Sequence, residues 1–260
     1  MSPRREARAL SAAFTFLTRL PLGALASHDT ADLPRSAAYF PVVGAVVGAI
    51  GAAVLVLGLR LWMPMIAVLL SVCATVWVTG AFHEDALADS LDGFGGGWSR
   101  DQVLAIMKDS RVGSYALIGM ILVVAVKVAA LTSIAQTTDA LHAAAGLVAA
   151  HTLGRWSSLP LIRAYPYVRQ SMDGDRPSAG HPFVASVTTA RIVAGTVLTI
   201  AIVGVSLAHR AWIAGLVSVI VTWIAGRYFA RRIGGITGDA LGAANQAVEV
   251  CVYLALAARW

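Results

Sequence analysis

The stretch that decides the fold is MPMIAVLLSVCATVWVTGAF, residues 63–82, which leads directly into the acidic stretch HEDALADSLDGFGGG, residues 83–97. An apolar run of about twenty residues has the length that an α-helix needs to cross a bilayer. Similar runs recur along the 260 residues, of which 58% are hydrophobic and 13% charged. Soluble domains carry about 25% charged residues. The sequence therefore predicts an all-α, polytopic integral membrane helical bundle.

Seven apolar segments predict about seven transmembrane helices, within a range of six to eight. They are Ala37–Leu59, Met63–Phe82, Ser114–Ile134, Ala140–Ile162, Ile192–Ala208, Trp212–Phe229 and Leu241–Ala258. We expect residues 1–260 to form a single transmembrane domain. The alternative, a large soluble helical protein, would need several 20-residue helices without a polar face.

The N-terminal residues 1–22 begin with basic side chains and continue with an apolar stretch, as a secretory signal peptide does. Arg19 and Pro21 interrupt that stretch, which argues against a cleaved signal. We expect an interfacial amphipathic helix instead.

The distribution of charge predicts the orientation in the membrane. Placing the N-terminus in the cytoplasm puts most of the 20 Lys and Arg residues on that side, as membrane insertion favours. The acidic residues gather on the same side. We therefore expect a multi-pass protein of the cell inner membrane, with cytoplasmic active-site segments 83–113 and 163–191. The net charge of +6 alone does not indicate a site for charged substrates, because attraction to anionic lipid explains it as well. We expect the lipid bilayer as a partner and no nucleic acid.

Three carboxylates of the acidic stretch share one face if residues 83–92 continue the second span as a helix. At about 100° per residue, Asp85, Asp89 and Asp92 lie near 0°, 40° and −20°. Like charges at this spacing weaken a helix unless something neutralises them, and oxygen ligands suit Mg²⁺. We predict that the three aspartates bind Mg²⁺ and take part in catalysis, with Glu84 as a further candidate ligand. The alternative is a solvated helix end.

His83 is the candidate for catalytic proton transfer, because its ordinary pKa lies near neutrality. It lies about 160° around the helix from Asp85, so it reaches the metal only if the helix breaks or the substrate spans two faces. The alternative is a structural hydrogen bond, with the proton passing to an aspartate or to water.

Cationic side chains near the acidic stretch are candidates for binding a pyrophosphate. Lys108 and Arg111 lie three residues apart in WSRDQVLAIMKDSRVGSYA, residues 98–116, and so share a helix face. Arg155 lies in the middle of the fourth span, where a charge usually faces a partner or a cavity. Glu249 in the last span is an acid able to pair with an intramembrane cation. For the first two cations, ordinary charge flanking a membrane span is the alternative.

Five motifs, in the same order along the chain, resemble those of the cobalamin synthase family, the adenosylcobinamide-GDP ribazoletransferases. They are FLTRLP (residues 16–21), YFPVVGAVVGAI (39–50), HEDALADSLDG (83–93), IMKDSRVGSYA (106–116) and GGITGDALGA (234–243). Two positions depart from the family pattern. Ala86 stands where the family usually has Gly, and Gln246 stands where a Glu often occurs. The second departure shifts attention to Glu249, which matches another family acid.

The resemblance implies the last assembly step of coenzyme B12. In that reaction α-ribazole, or its 5′-phosphate, attacks the cobinamide phosphate of adenosylcobinamide-GDP and GMP leaves. Mg²⁺ is the implied cofactor, and other corrinoid-pathway enzymes are candidate partners. The expected substrate-binding residues are Lys108, Asp109, Ser110, Arg111, Arg155, Thr237, Asp239 and Glu249. For Asp239, a role as N-cap of the last span is an open alternative.

Two other functions stay open on the residues alone. Another Mg²⁺-dependent membrane alcohol phosphotransferase or prenyltransferase would also place aligned aspartates on helices at the cytosolic face. An ion-coupled transporter would use Lys127, Arg155 and Glu249 as an ion path. Against transport, the charged segments cluster at one membrane face instead of the midplane.

Overall fold

The structure, a computed structural model, describes residues 3–22, 32–168 and 180–258. Within these ranges the chain is all-α, as predicted, and its only β-type pairing is an isolated bridge between Tyr167 and Ile236. The helices are α1 Pro3–Leu17, α2 Leu33–Ser36, α3 Phe40–Gly58, α4 Pro64–Thr79, α5 Phe82–Gly96, α6 Arg100–Ile106, α7 Ser114–Thr137, α8 Ala140–Ala164, α9 Gly180–Ser186, α10 Thr189–Leu207, α11 Ala211–Ile233 and α12 Gly238–Ala257.

Several of these helices have the length and apolarity to cross a membrane, which agrees with a polytopic membrane protein. In the described ranges four segments qualify, and the bent pair α4–α5 makes a fifth if it is counted as one span. The four are Leu33–Gly58, Ser114–Thr137, Thr189–Ile233 and Gly238–Ala257. α8 is 25 residues long but less apolar, since charged and polar side chains interrupt it. The number of seven spans and the cytoplasmic N-terminus stay predictions.

The 45-residue segment Thr189–Ile233 consists of two helices, α10 and α11. The start of α10 packs at Gly195 against Leu159, and the end of α11 packs at Gly226 against Leu161. Both contacts lie in the C-terminal part of α8, so α10 and α11 run in opposite directions along it. A straight helix of this length would measure about 68 Å, roughly twice the hydrocarbon thickness.

α8 lies at the centre of the bundle, between α3, α10, α11 and α12. Gly44 and Gly48 of α3 face it closely. A Cβ atom at Gly44 would come within 2.3 Å of the His151 carbonyl oxygen, and one at Gly48 within 2.7 Å of the Leu147 carbonyl oxygen. Small residues permit such close approach of helix backbones. This packing holds the polar residues of α8, including Arg155, inside the protein.

The second predicted span ends before the acidic stretch. α4 stops at Thr79, and Gly80 and Ala81 adopt left-handed backbone angles, with φ of 65° and 60°. α5 then leaves at 91° to α4. A Cβ atom at Gly80 would lie 2.0 Å from Arg19 Nε, so a side chain there would displace Arg19 and strain the left-handed backbone. The condition that residues 83–92 continue the helix of the second span is therefore not met: they form a helix of their own, because two left-handed residues end the helical backbone pattern.

Two predicted segments are only partly covered. α1 includes most of residues 1–22 and packs against the bundle through a buried face; Glu6 pairs with Arg191 at 2.6 and 2.8 Å and accepts a 2.8 Å hydrogen bond from the Tyr39 hydroxyl. Its position at the membrane interface stays a prediction. Of segment 163–191, residues 169–179 lie outside the described ranges.

Candidate active site

The acidic residues lie on α5, which packs against α12 and α7. Because α5 is a continuous helix from Phe82 to Gly96, Asp85, Asp89 and Asp92 share one face as predicted. Asp85 is exposed and the other two are half-buried. His83 lies on the opposite side and is buried, with 4% exposure. Among the described residues, no three His, Cys, Asp or Glu side chains are grouped closely enough to form a ready-made metal site.

The carboxylate of Asp92 makes two hydrogen bonds to the start of α7. Its Oδ2 accepts from the Gly113 amide at 2.6 Å and its Oδ1 from the Ala116 amide at 2.8 Å. A Cβ atom at Gly113 would lie 2.6 Å from Oδ1, so the approach depends on glycine. The first amides of a helix have no partner within the helix. Asp92 therefore caps α7 from a different helix and fixes the preceding loop against α5.

That loop carries the KDSR motif, so two charged segments predicted to converge do meet. Arg111 Nη2 lies 2.5 Å from Asp109 Oδ2, and the Arg111 amide donates to Asp109 Oδ1 at 3.0 Å. These hydrogen bonds lower the pKa of Asp109 to about 2. Lys108, Ser110 and Arg111 are exposed. The loop thus presents cations to solvent beside the Asp92 end of α5.

A buried polar core, formed by Lys127, His151, Arg155, Gln246 and Glu249, lies deeper in the bundle. Glu249 has no exposed surface. Its Oε1 lies 2.5 Å from Arg155 Nη1 and 2.9 Å from His151 Nδ1, and its Oε2 accepts from Lys127 Nζ at 2.8 Å. The prediction that Glu249 pairs with one of the cations Lys127 and Arg155 is confirmed for both.

Gln246 joins this polar core to the acidic helix. Its Oε1 accepts from Lys127 Nζ at 2.8 Å, and its Nε2 donates to Glu84 Oε1 at 3.0 Å. An amide can do both because it carries a donor and an acceptor, whereas an ionised Glu at this position would only accept. The other Glu84 oxygen is buried without a hydrogen-bond partner among the described residues. Glu84 thus faces α12, away from the aspartate stripe.

A cavity of about 240 Å³ opens at the His83 end of α5. We call it the aromatic cavity; its lining includes Phe16, Phe40, Phe82, His83, Arg155 and Phe183. Arg155 thus lies by His83, whereas Lys108 and Arg111 lie in the loop that Asp92 holds. His83 and Asp92 are nine residues apart, about 13 Å along a helix. The structure does not gather the three cations into one cluster.

Two further residues predicted to bind substrate, Thr237 and Asp239, lie at the start of α12. Thr237 is buried and its Oγ1 accepts from the Ala240 amide at 3.1 Å, so Thr237 is the N-cap. Asp239 lies inside the first turn, and its alternative role as N-cap is therefore wrong. An acid in this position still interacts favourably with the helix dipole.

Sequence reasoning missed Asn245 as a site residue. It is 1% exposed, and neither atom of its amide has a hydrogen-bond partner among the described residues. It lies four residues before Glu249, and both approach Gly154 of α8 within 3.0 Å of where a Cβ atom would be. Three polar side chains within the last apolar span were the available signal, since such residues in a membrane helix usually face the protein interior.

Comparison with known proteins places this arrangement in a family. The family model described as cobalamin-5-phosphate synthase matches residues 9–257. Three curated relatives are each named adenosylcobinamide-GDP ribazoletransferase. The Ralstonia nicotianae protein is 39% identical and covers 99% of this chain and 98% of its own; the Leptothrix cholodnii protein is 38% identical, with 98% and 97% covered; and the Shewanella amazonensis protein is 37% identical, with 99% and 97% covered. No solved structure matches the chain. With a family model and relatives that span nearly its whole length, the chain belongs to the cobalamin-5-phosphate synthase family.

Proposed function

We propose that this chain is an adenosylcobinamide-GDP ribazoletransferase that performs the last assembly step of coenzyme B12. The observation that carries the proposal is the near full-length similarity to relatives of that name. In the reaction, the 5′-oxygen of α-ribazole forms a bond to the phosphorus attached to cobinamide. The bond from that phosphorus to the bridging oxygen breaks, and GMP leaves with the electron pair. The 5′-hydroxyl gives up its proton.

The residues of α5 fit a role in holding Mg²⁺. The ion usually takes one or two carboxylates plus water and substrate phosphates, so a ready-made cluster of three is not required. Asp85 and Asp89 lie one turn apart on one face. Glu84 keeps one buried oxygen without a hydrogen-bond partner among the described residues, but it faces α12 and would not reach an ion held by these two aspartates. Asp92 accepts one hydrogen bond from α7 on each oxygen, and each oxygen keeps a second lone pair that could bind the metal. When bound, Mg²⁺ would neutralise the pyrophosphate charge.

The KDSR loop is proposed to bind the GMP end of the substrate. Lys108 and Arg111 supply positive charge, and the Ser110 hydroxyl supplies a donor. Arg111 is held by Asp109 in the free protein and would exchange that partner, or share it, when a phosphate arrives. Thr237 and Asp239 at the start of α12 are proposed to contact the substrate from the other side.

His83 is proposed as the group that takes the proton from the 5′-hydroxyl. Its Nδ1 is buried and makes no hydrogen bond among the described residues, so the atom is available to a substrate hydroxyl. His83 also borders the aromatic cavity. It lies at the start of α5, on the side opposite the aspartates, so a substrate that it deprotonates would span both faces of the helix. A loose, metaphosphate-like transition state would need little help from a base, and an aspartate of α5 would then accept the proton late.

Arg155 is proposed to contact substrate at the cavity, and Glu249 to position Arg155. The guanidinium is fixed by the 2.5 Å contact to Glu249, so it enters the reaction already oriented. This pairing also argues against an ion path, because the intramembrane charges neutralise one another. We further propose that the N-terminus and the active site face the cytoplasm, in the inner membrane, where other corrinoid-pathway enzymes would have access.

Detergent-purified protein tests the proposal. It should release GMP from adenosylcobinamide-GDP only when α-ribazole or its 5′-phosphate is present, and only with Mg²⁺. Release that proceeds with another alcohol and not with ribazole would identify a different membrane phosphotransferase. Ion flux in proteoliposomes without GMP release would identify a transporter.

A further inference from the structure

We infer that the aromatic cavity binds the benzimidazole base of α-ribazole, and so holds the attacking nucleoside with its ribose towards the acidic helix. The inference rests on the proposed function and extends it by assigning a site to the second substrate. It is carried by the size of the cavity, the rings around it and one unpaired buried donor.

The volume of the cavity suits a fused two-ring base. It measures about 240 Å³, and an apolar protein cavity of about 150 Å³ is enough to hold benzene. A complete corrinoid is several times larger than the space available. The adenosylcobinamide part of the other substrate therefore lies elsewhere.

The walls suit a planar aromatic ligand. Phe16 of α1 stacks on Phe40 of α3 with ring centres 5.9 Å apart, and Phe183 of α9 lies 6.2 Å from Phe16 and 6.1 Å from Phe40. Phe82 at the start of α5 meets Phe16 edge-on at 5.4 Å. Four elements far apart in sequence thus each contribute one ring. Proteins commonly hold nucleobases by stacking on such rings, because every base has a π-face.

Arg155 supplies the single polar contact that this base requires. Arg155 borders the cavity. Its Nη1 is occupied by Glu249 and His151, and its Nε makes no hydrogen bond among the described residues, so the guanidinium has donors that Glu249 and His151 do not use. A guanidinium can only donate. A benzimidazole joined to ribose through one ring nitrogen keeps one free ring nitrogen, which can only accept.

Guanine fits the cavity less well than benzimidazole does. Its edge carries several donors as well as acceptors, and its donors need acceptors such as a carboxylate. The described residues that line the cavity include no Asp or Glu. With His83 assigned to the 5′-hydroxyl, the hydroxyls of Ser158 and Tyr167 are the acceptors that the lining side chains offer, fewer than the guanine edge needs, so the cavity suits the base of α-ribazole better.

This placement agrees with the chemistry proposed at α5. With the base among the phenylalanine rings and its nitrogen on Arg155, the ribose reaches out past His83, which borders the same cavity. The 5′-hydroxyl then lies beside His83, and the substrate spans two faces of α5, because His83 and the aspartates lie on opposite sides of that helix. The long side chain of Arg155 thus contacts the nucleophile, and the KDSR loop contacts the leaving group.

Two small probes test the base site without any turnover. 1-Methylbenzimidazole mimics the glycosylated base, and 1-methylindole has the same shape with CH in place of the accepting nitrogen. By titration calorimetry of the full-length protein in detergent, we expect the benzimidazole to bind about tenfold or more tightly, the effect of one hydrogen bond to a charged donor. Arg155→Lys keeps the charge beside Glu249 but removes Nε, and should bring the two probes to similar affinity.

Variants that fill the cavity provide a second test of the base site. Leu241→Trp puts a larger side chain into the cavity lining and should abolish binding of both probes, whereas Leu254→Trp, at an exposed position of the same helix, should not. If Leu241→Trp fails to fold, Phe183→Leu serves instead and should weaken both probes about fivefold or more through lost stacking. Equal binding of the probes to wild type, or binding unchanged by both cavity variants, would overturn the inference.

Steady-state kinetics distinguish a failure of the base site from a failure of the proposed function. In the wild-type enzyme, 1-methylbenzimidazole should raise the KM for α-ribazole and leave the KM for adenosylcobinamide-GDP unchanged. Competition with adenosylcobinamide-GDP would refute the base site while the transferase activity stands. Absence of GMP release under all conditions would refute the proposed function, even if the probes bind.

Discussion

Arg155 of α8 and Glu249 of α12 form an ion pair in the centre of the bundle, with Nη1 and Oε1 2.5 Å apart and neither side chain more than 2% exposed. Lys127 of α7 binds the second oxygen of the same carboxylate. Three helices are thus joined at one buried group. The removal of a single partner from such a pair leaves uncompensated buried charge, which costs more than the pair itself contributes.

Glu249→Gln should therefore destabilise the protein by about 3–5 kcal/mol. The side chain keeps its shape, but Arg155 and Lys127 lose their counter-charge. Chemical unfolding in detergent, followed by circular dichroism, measures the change. Asp101→Asn, at an exposed position on α6, is the matched control and should change stability by less than about 0.5 kcal/mol. A Glu249→Gln protein as stable as the control would refute the structural importance of the pair.

Asp92→Ala should lower stability by about 0.5–2 kcal/mol, the usual cost of losing a helix cap. Its carboxylate accepts from two amides at the start of α7, and Asn retains one accepting oxygen. Asp92→Asn should therefore lie between wild type and Asp92→Ala in thermal unfolding measured without Mg²⁺. If both variants unfold like wild type, Asp92 does not cap α7.

The ion pair of Glu6 predicts how the stability of the fold changes with pH. Hydrogen bonding to Arg191 lowers its pKa from 4.5 to about 2. A lowered carboxyl pKa stabilises the fold above the unfolded-state pKa, and the contribution is lost as pH falls through the folded value. The stability difference between wild type and Glu6→Gln should be constant above about pH 5 and should shrink between about pH 4.5 and pH 2. Thermal unfolding across this range measures it, and a difference independent of pH would contradict the assignment.

Asp85→Asn should reduce turnover by about 10²-fold or raise the Mg²⁺ concentration needed for half-maximal rate, because it removes a carboxylate from the exposed face of α5. The substitution is isosteric, and we expect normal insertion and folding. Rates measured against Mg²⁺ concentration test it, with Asp101→Asn as a carboxylate control outside the stripe. A variant with the wild-type rate and Mg²⁺ dependence excludes Asp85 as a ligand.

The sequence predicted those features that depend on local pattern. Apolar length indicated helices that span a membrane, and the spacing of Asp85, Asp89 and Asp92 placed them on one face. An acid within an apolar span indicated a buried partner for Arg155, and Glu249 supplied it. Each of these follows from helix periodicity or from the cost of an unpaired charge in an apolar setting.

Features that depend on tertiary contacts could not be predicted from the local sequence pattern. The bend before α5 rests on Ala81 in a left-handed conformation, which Ala rarely adopts. Asp92 was expected to be a ligand, but it also caps a helix that begins more than twenty residues later. Gln246 stood out only as a departure from a family motif. In the fold its side chain bonds both Lys127, 119 residues earlier in the chain, and Glu84, 162 residues earlier.

The origin of one oxygen atom tests the central claim most directly. α-Ribazole labelled with ¹⁸O in its 5′-hydroxyl is incubated with adenosylcobinamide-GDP and the purified enzyme, and the products are analysed by mass spectrometry. If the 5′-oxygen attacks the cobinamide phosphorus, the label stays in the cobalamin product, and GMP is unlabelled and formed in equal amount. Label that is lost from the ribose, or GMP formed without a cobalamin product, would contradict the account.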